Sequence, residues 1–103
     1  MAVPLTPGRA DELCSVLGAL ADPVRLRLLS LIAAADRAVY VCDLRAAFAL
    51  SPPTISHHLK VLREAGLTRT RIEGTSRFIS LRADRLEQLY PGLLAAVLGR
   101  VRT

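Results

Sequence analysis

The residues able to do chemistry fall into three groups. They are thiols at Cys14 and Cys42, adjacent imidazoles at His57 and His58, and a cluster of cations between positions 51 and 82. Soft thiolates select As(III), Sb(III), Cd(II) or Pb(II) over hard cations. Trivalent arsenic prefers three thiolates, and one chain holds two cysteines. Neighbouring residues on a helix point about 100° apart, so His57 and His58 do not chelate one ion well. A four-cysteine structural zinc site is excluded by the count. No Gly-rich phosphate cradle and no Gly-x-Ser-x-Gly elbow is present. Ser56 beside His57 has no third group to orient it, so the reading is not an enzyme, with no catalytic residues.

The cations are segregated. Residues 1–50 balance their arginines against their acids. Residues 51–82 carry Lys60, Arg63, Arg69, Arg71, Arg77 and Arg82 against Glu64 and Glu73, which is most of the net charge of +5. A clustered basic surface favours a polyanion, because each neutralised phosphate releases condensed counterions. A solvated basic face is the competing reading.

A chain of 103 residues with 51% apolar content makes one domain, residues 1–103, with a real core. No apolar run is long enough for a membrane span. The start, MAVPLTPGRADEL, lacks the pattern of a signal peptide. A cytoplasmic protein is expected, without a membrane partner and with reduced thiols.

The elements that must position these groups are mostly helical. Leu13, Val16, Leu17 and Leu20 recur at helical spacing in a first helix from about Pro7 to Leu20. Asp22-Pro23 is a helix start, a capping carboxylate before proline, and a second helix follows to the alanines at 33–35. A short third helix is predicted over roughly Val41 to Phe48. Ser51-Pro52-Pro53 repeats the start signal, so a fourth helix runs from Pro52 to Ala65 with Ile55, Leu59 and Leu62 buried and Gly66 as a left-handed cap. Leu67–Ile72 and Ser76–Leu81 flank a turn at Glu73-Gly74-Thr75, which predicts a hairpin. A last helix starts near Ala83-Asp84 and is kinked or split at Pro91-Gly92. Two short helices joined by a tight turn form a helix-turn-helix, and the following basic hairpin has the form of a wing. The fold class is mainly α with a small β-hairpin.

Two stretches resemble the ArsR/SmtB family of bacterial metal- and metalloid-responsive repressors. They are Ala19-Leu20-Ala21-Asp22-Pro23-Val24-Arg25-Leu26 and the run from Leu50-Ser51-Pro52-Pro53-Thr54-Ile55-Ser56-His57-His58-Leu59-Lys60 to Gly66-Leu67. The resemblance implies a winged helix-turn-helix repressor that dimerises through its first and last helices. It implies paired recognition helices in successive major grooves of double-stranded operator DNA, and release when an inducer binds. Cysteine-sensing members carry Cys-Val-Cys-Asp at the third helix. Here Tyr40 stands at the first cysteine and Cys42 matches the second, so one ligand of that pair is missing. Cys14 does not match the family's N-terminal cysteine. The implied metal residue is Cys42, and Cys14 is the other candidate ligand; a minimal site would need the two to meet across a homodimer and be completed by a further ligand, which the sequence leaves open. The family's second site, on the last helix, has Asp84 and Glu87 here but no histidine.

The candidate DNA-binding residues are Ser51, Thr54, Ser56, His57, His58, Lys60 and Arg63 on the fourth helix, with Arg69, Arg71 and Arg77 on the hairpin. Short hydroxyls at a helix N-terminus suit phosphates and base edges. Arginines on a wing suit the backbone or minor groove. Other readings stand beside these. Ser51 serves as a cap alone, one histidine packs within its own domain, and Cys14 is a small buried hydrophobe. No cofactor is obligatory; As(III), Sb(III), Cd(II) or Pb(II) is the expected inducer. Two alternatives remain: a repressor without a metal site or with a thiol-redox signal, and a dimeric protein-interaction module that does not bind DNA.

Overall fold

The computed structural model describes residues 3–35 and 37–99. The arginines at 100 and 102, part of the basic excess of the tail, lie outside them. The order is α1 (Pro7–Leu20), α2 (Pro23–Ala35), β1 (Val39–Tyr40), α3 (Val41–Ala46), α4 (Pro52–Glu64), β2 (Thr68–Glu73), β3 (Ser76–Leu81), α5 (Ala83–Leu89) and α6 (Leu93–Leu98). This is the expected helical frame with a hairpin wing.

The helix starts follow from local chemistry. Thr6 accepts a hydrogen bond from the Arg9 amide at 3.2 Å, with Pro7 in the first turn. Asp22 Oδ1 accepts from the amides of Val24 and Arg25 at 2.8 and 3.0 Å, satisfying donors that the first turn leaves free. Ser51 Oγ accepts from the Thr54 amide at 3.4 Å and lies 2.8 Å from Thr54 Oγ1. At the other end of α4, Gly66 has a φ of +82°. Its amide donates to Arg63 O at 3.0 Å, and the Leu67 amide donates to Leu62 O at 3.0 Å. This paired closure requires the left-handed conformation that glycine adopts without penalty.

Some boundaries differ from the sequence expectation. Helix α3 ends at Ala46, because the amides of Ala47 and Phe48 bond three residues back, to Leu44 and Arg45. Phe48 is nonetheless buried and carries the Arg27 guanidinium 4.8 Å from its ring centroid. Strand β2 begins at Thr68, since the Leu67 amide is spent on closing α4. As expected, the last helix divides at Pro91-Gly92, where Gly92 takes a φ of +82° and its amide donates to the Glu87 carboxylate.

The sheet contains a strand that the sequence reading left out. The order is β1-β3-β2, with Val39 opposite Ile79 and Tyr40 opposite Phe78. Two residues have no periodicity to detect, and their partner lies about forty positions away. The β2–β3 register places Arg71 opposite Phe78, Thr70 opposite Ile79 and Thr68 opposite Leu81.

The core gathers around α2. Leu28, Leu29 and Ile32 meet Ile55, Leu59 and Leu62 of α4, with Leu67, Ile79 and Leu86 closing the ends. Val16 of α1 belongs to this core at 3% exposure. Its neighbour Leu17 is exposed, as is Val97. Arg9 joins the two ends of the chain by donating to Leu89 O and lying 4.7 Å over the Tyr90 ring. Among the described residues, no helix is long and apolar enough to cross a membrane.

The cap at Asp22 gives the fold a pH signature. Hydrogen bonding from the Arg25 amide, then the charge of Arg25 and the Val24 amide, outweigh desolvation and hold its carboxyl below the ordinary 3.8. A carboxyl depressed in the folded state stabilises above the unfolded pKa and loses that contribution as pH falls through the folded value. Asn also caps well, so Asp22→Asn isolates the charge. The variant should melt below wild type at neutral pH, with the gap closing below about pH 4. Melting curves with a gap that is constant from pH 7 to the acid limb would contradict this.

Candidate nucleic-acid interface

Helix α4 is divided lengthwise. Ile55 and Leu62 are fully buried and Leu59 nearly so, which fixes one face against α2 and the sheet. At about 100° per residue, His57 and Lys60 stand opposite that stripe. Both are exposed. Ser56 and Arg63 lie on the flank facing α3 and the wing, and Thr54 and His58 on the flank facing α2.

The flanks differ in freedom. On the wing side, Arg45 of α3 donates to Ser56 Oγ at 3.3 Å. Arg45, Ser56, Arg63, Thr70 and Arg77 line one narrow cleft of about 40 Å³. On the α2 side, His58 is half-buried and its Nδ1 lies 3.3 Å from Arg25. Arg25 also donates to the carbonyls of Ala19 and Gly18 and lies 4.0 Å from the Asp22 carboxylate. His58 is thus held within its own chain, while His57 is free of such contacts. Ser51 acts as the cap of α4 and remains exposed.

The wing arginines separate by face. Cross-strand partners share a face, so Thr68, Thr70, Arg77 and Ile79 face the α4 side. Arg71 belongs to the other side, 5.0 Å over Phe78 and 2.6 Å from the Glu73 carboxylate. Phe78 in turn packs on Tyr40, with ring centroids 5.6 Å apart. Arg69 alternates with Arg71 on that side and is exposed. Arg77 is therefore the wing arginine grouped with α4, and Arg71 is engaged in a stack of its own.

Arg45 and Arg25 were not among the sequence candidates. Arg45 had a signal, a cation in the last turn of a helix leading into the tight turn. Arg25 had none, because its contact with His58 spans 33 positions.

Both thiols are exposed. Cys14 is consequently not the small buried hydrophobe that one reading allowed. Among the described residues, no group of three or more His, Cys, Asp and Glu side chains is placed to hold a metal ion. Cys42 has Tyr40 beside it: hydrogen bonding to the sulfur and then its charge push the phenol above its ordinary 10.0, with Ser76 pulling the other way. Glu87, one of the carboxylates of the last helix, is taken up by the Gly92 amide.

The comparisons with known proteins agree with this geometry. Residues 22–70 match the model of the bacterial regulatory protein, arsR family. The chain is 38% identical over 82 residues to a "Transcriptional repressor SmtB homolog" of Synechocystis, covering 80% of this chain and 61% of that one. It is 35% identical to the "Arsenical resistance operon repressor" of Staphylococcus xylosus over 80% of this chain and 77% of that one. Among solved structures, the homodimeric winged helix-turn-helix DNA-binding domain from Mycobacterium bovis superposes with a TM-score of 0.71 at 26% identity, covering 93% of this chain and 89% of that one. An exposed α4 face beside a basic wing and the match across the helix-turn-helix together identify the chain as a member of the arsR family, the ArsR/SmtB winged helix-turn-helix proteins, and thus as a DNA-binding transcriptional regulator and not an enzyme.

Proposed function

We propose that the chain represses transcription by binding an operator as a homodimer, with α4 in the major groove and Arg77 of the wing on the backbone. The observation that carries this reading is the lengthwise division of α4. Its apolar stripe is consumed by the core, which leaves His57, Lys60 and Thr54 outward and Ser56 and Arg63 beside Arg77. His57 and Lys60 are the base-reading residues, Thr54 and Ser56 contact phosphates near the helix start, and Arg45, Arg63 and Arg77 hold the backbone. His58 acts as a positioning residue that fixes α4 on Arg25. Ser51 contributes as the cap, and Arg69 and Arg71 serve as longer-range attraction.

Dimerisation uses the ends of the chain. Leu17 and Val97 are exposed, and Leu93, Leu94 and Leu98 are only partly covered. The Mycobacterium bovis relative is described as homodimeric. The two recognition helices are then about 34 Å apart, one turn of DNA. Sedimentation at micromolar concentration should give a dimer, and Leu17→Glu combined with Val97→Glu should give a folded monomer. A wild-type monomer under those conditions would exclude this arrangement.

Base-reading and backbone residues should separate in binding assays. Arg77→Ala should weaken operator and random duplexes alike and lower the salt slope by about one. His57→Ala should reduce discrimination between them by about 1–3 kcal/mol. Equal losses on both duplexes from His57→Ala would remove α4 from base readout.

The release signal enters at Cys42. Its thiol is exposed, and α3 is bonded to the recognition helix through Arg45 and Ser56. A thiophilic ion, As(III), Sb(III), Cd(II) or Pb(II), held by Cys42 and Cys14 of two subunits would displace α3 and with it α4. The Staphylococcus xylosus relative is named an arsenical resistance repressor, which supports this class of inducer. An inducer must favour the DNA-free state by the factor with which it weakens binding, typically about 1–3 kcal/mol. Cys42→Ser should bind DNA normally yet no longer release it on addition of arsenite or Cd(II). Release at the wild-type concentration would place the signal elsewhere.

A further inference from the structure

The base of the wing, at the C-terminal end of α4, holds an open cleft of about 470 Å³. Arg63 from the end of α4, Thr68, Arg69 and Thr70 from β2, and Arg82 after β3 line it. No carboxylate is among these residues. Among the described residues, none of the three arginines forms an ion pair, although Asp84 and Glu64 line neighbouring depressions that share Arg82. Three arginines lining one space repel one another unless an anion is placed among them.

A second observation is independent of charge. Thr68 is 2% exposed, the one buried polar residue of the described chain, and its hydroxyl has no hydrogen-bond partner. The Nε of Arg82 is also buried without a partner. Most buried polar groups are satisfied, and an unsatisfied one costs stability. Valine would fill the place of Thr68 with almost the same shape and no such cost. A hydroxyl and a guanidinium that both lack partners line the same basic cleft.

We propose that this cleft is an anion site that takes a phosphate group. The oxygens would accept from the guanidinium groups of Arg63, Arg69 and Arg82 and from the hydroxyls of Thr68 and Thr70. A tetrahedral dianion presents several acceptors at once, which suits donors converging from a helix and two strands. The inference shares Arg63 and Arg69 with the operator reading and adds Thr68, Thr70 and Arg82, which that reading does not use. The phosphate has two possible sources, a small phosphorylated compound or the backbone of DNA beyond the recognition helix.

The test uses the full chain and inorganic phosphate at pH 7, against sodium chloride at matched ionic strength. Saturable amide shifts at Thr68, Thr70 and Arg82 are expected with phosphate and not with chloride. Arg69→Ala combined with Arg82→Ala should weaken phosphate binding roughly ten- to hundredfold. Thr68→Val guards against a folding artefact: it should raise the melting temperature without phosphate by about 4 °C while weakening phosphate binding. Shifts no larger than those in chloride, or a Thr68→Val protein that binds phosphate as wild type does, would overturn the site. Addition of a non-specific duplex then separates the sources. Displacement of phosphate assigns the site to the DNA backbone, and simultaneous binding assigns it to a free phosphate compound.

Discussion

Helix α4 is held by three side chains. Ile55, Leu59 and Leu62 occupy the same core as Leu28, Leu29 and Ile32 of α2, and all six are buried to 6% exposure or less. Each fully buried aliphatic side chain contributes about 1.5–3 kcal/mol relative to exposure, so this contact is a large share of what a domain this small can muster. Because the stripe is narrow, the remainder of the helix circumference is left for polar side chains. The Gly66 closure and the Ser51 cap set where α4 ends and begins, and hence which residues fall on the outward face.

Electrostatics is organised by the same packing. Arg77 is brought to α4 because Ile79, two residues on, is buried against the core and alternation puts both on one face. Arg71, one residue out of phase with Thr70, is sent to the opposite face and satisfied by Glu73 and the Phe78 ring. Arg25 is consumed by carbonyls, Asp22 and His58, so it serves the junction of α1, α2 and α4. Cations that look equivalent in sequence are thereby sorted into backbone ligands, stacking partners and structural clamps.

The thiols mark the point where the family frame and this chain diverge. Tyr40 occupies the place of a ligand in the cysteine-sensing pattern, and its ring packs on Phe78 while the neighbouring Cys42 raises the pKa of its phenol. A phenol is a harder donor than a thiolate, which makes Cys42 a site of reduced ligand number within one chain. Any inducer that requires three soft ligands must draw on a second subunit.

Local signals determined much of this protein. Capping residues at Thr6, Asp22 and Ser51, apolar spacing in α1, α2 and α4, the glycine at 66 and the turn at 73–75 act within a few residues of one another, so the chain announces them before it folds. The family resemblance rests on the same contiguous stretches. What only the tertiary structure decided depends on contacts between distant positions. The pairing of β1 with β3, the capture of His58 by Arg25, the burial of Val16 and the separation of Arg77 from Arg71 join residues that share no local pattern. The cleft at the base of the wing is of that kind too. Arg63, Thr68 and Arg82 come from a helix end, a strand start and a strand exit, and only the closed sheet brings Arg63 together with the unsatisfied Thr68 hydroxyl and Arg82 Nε.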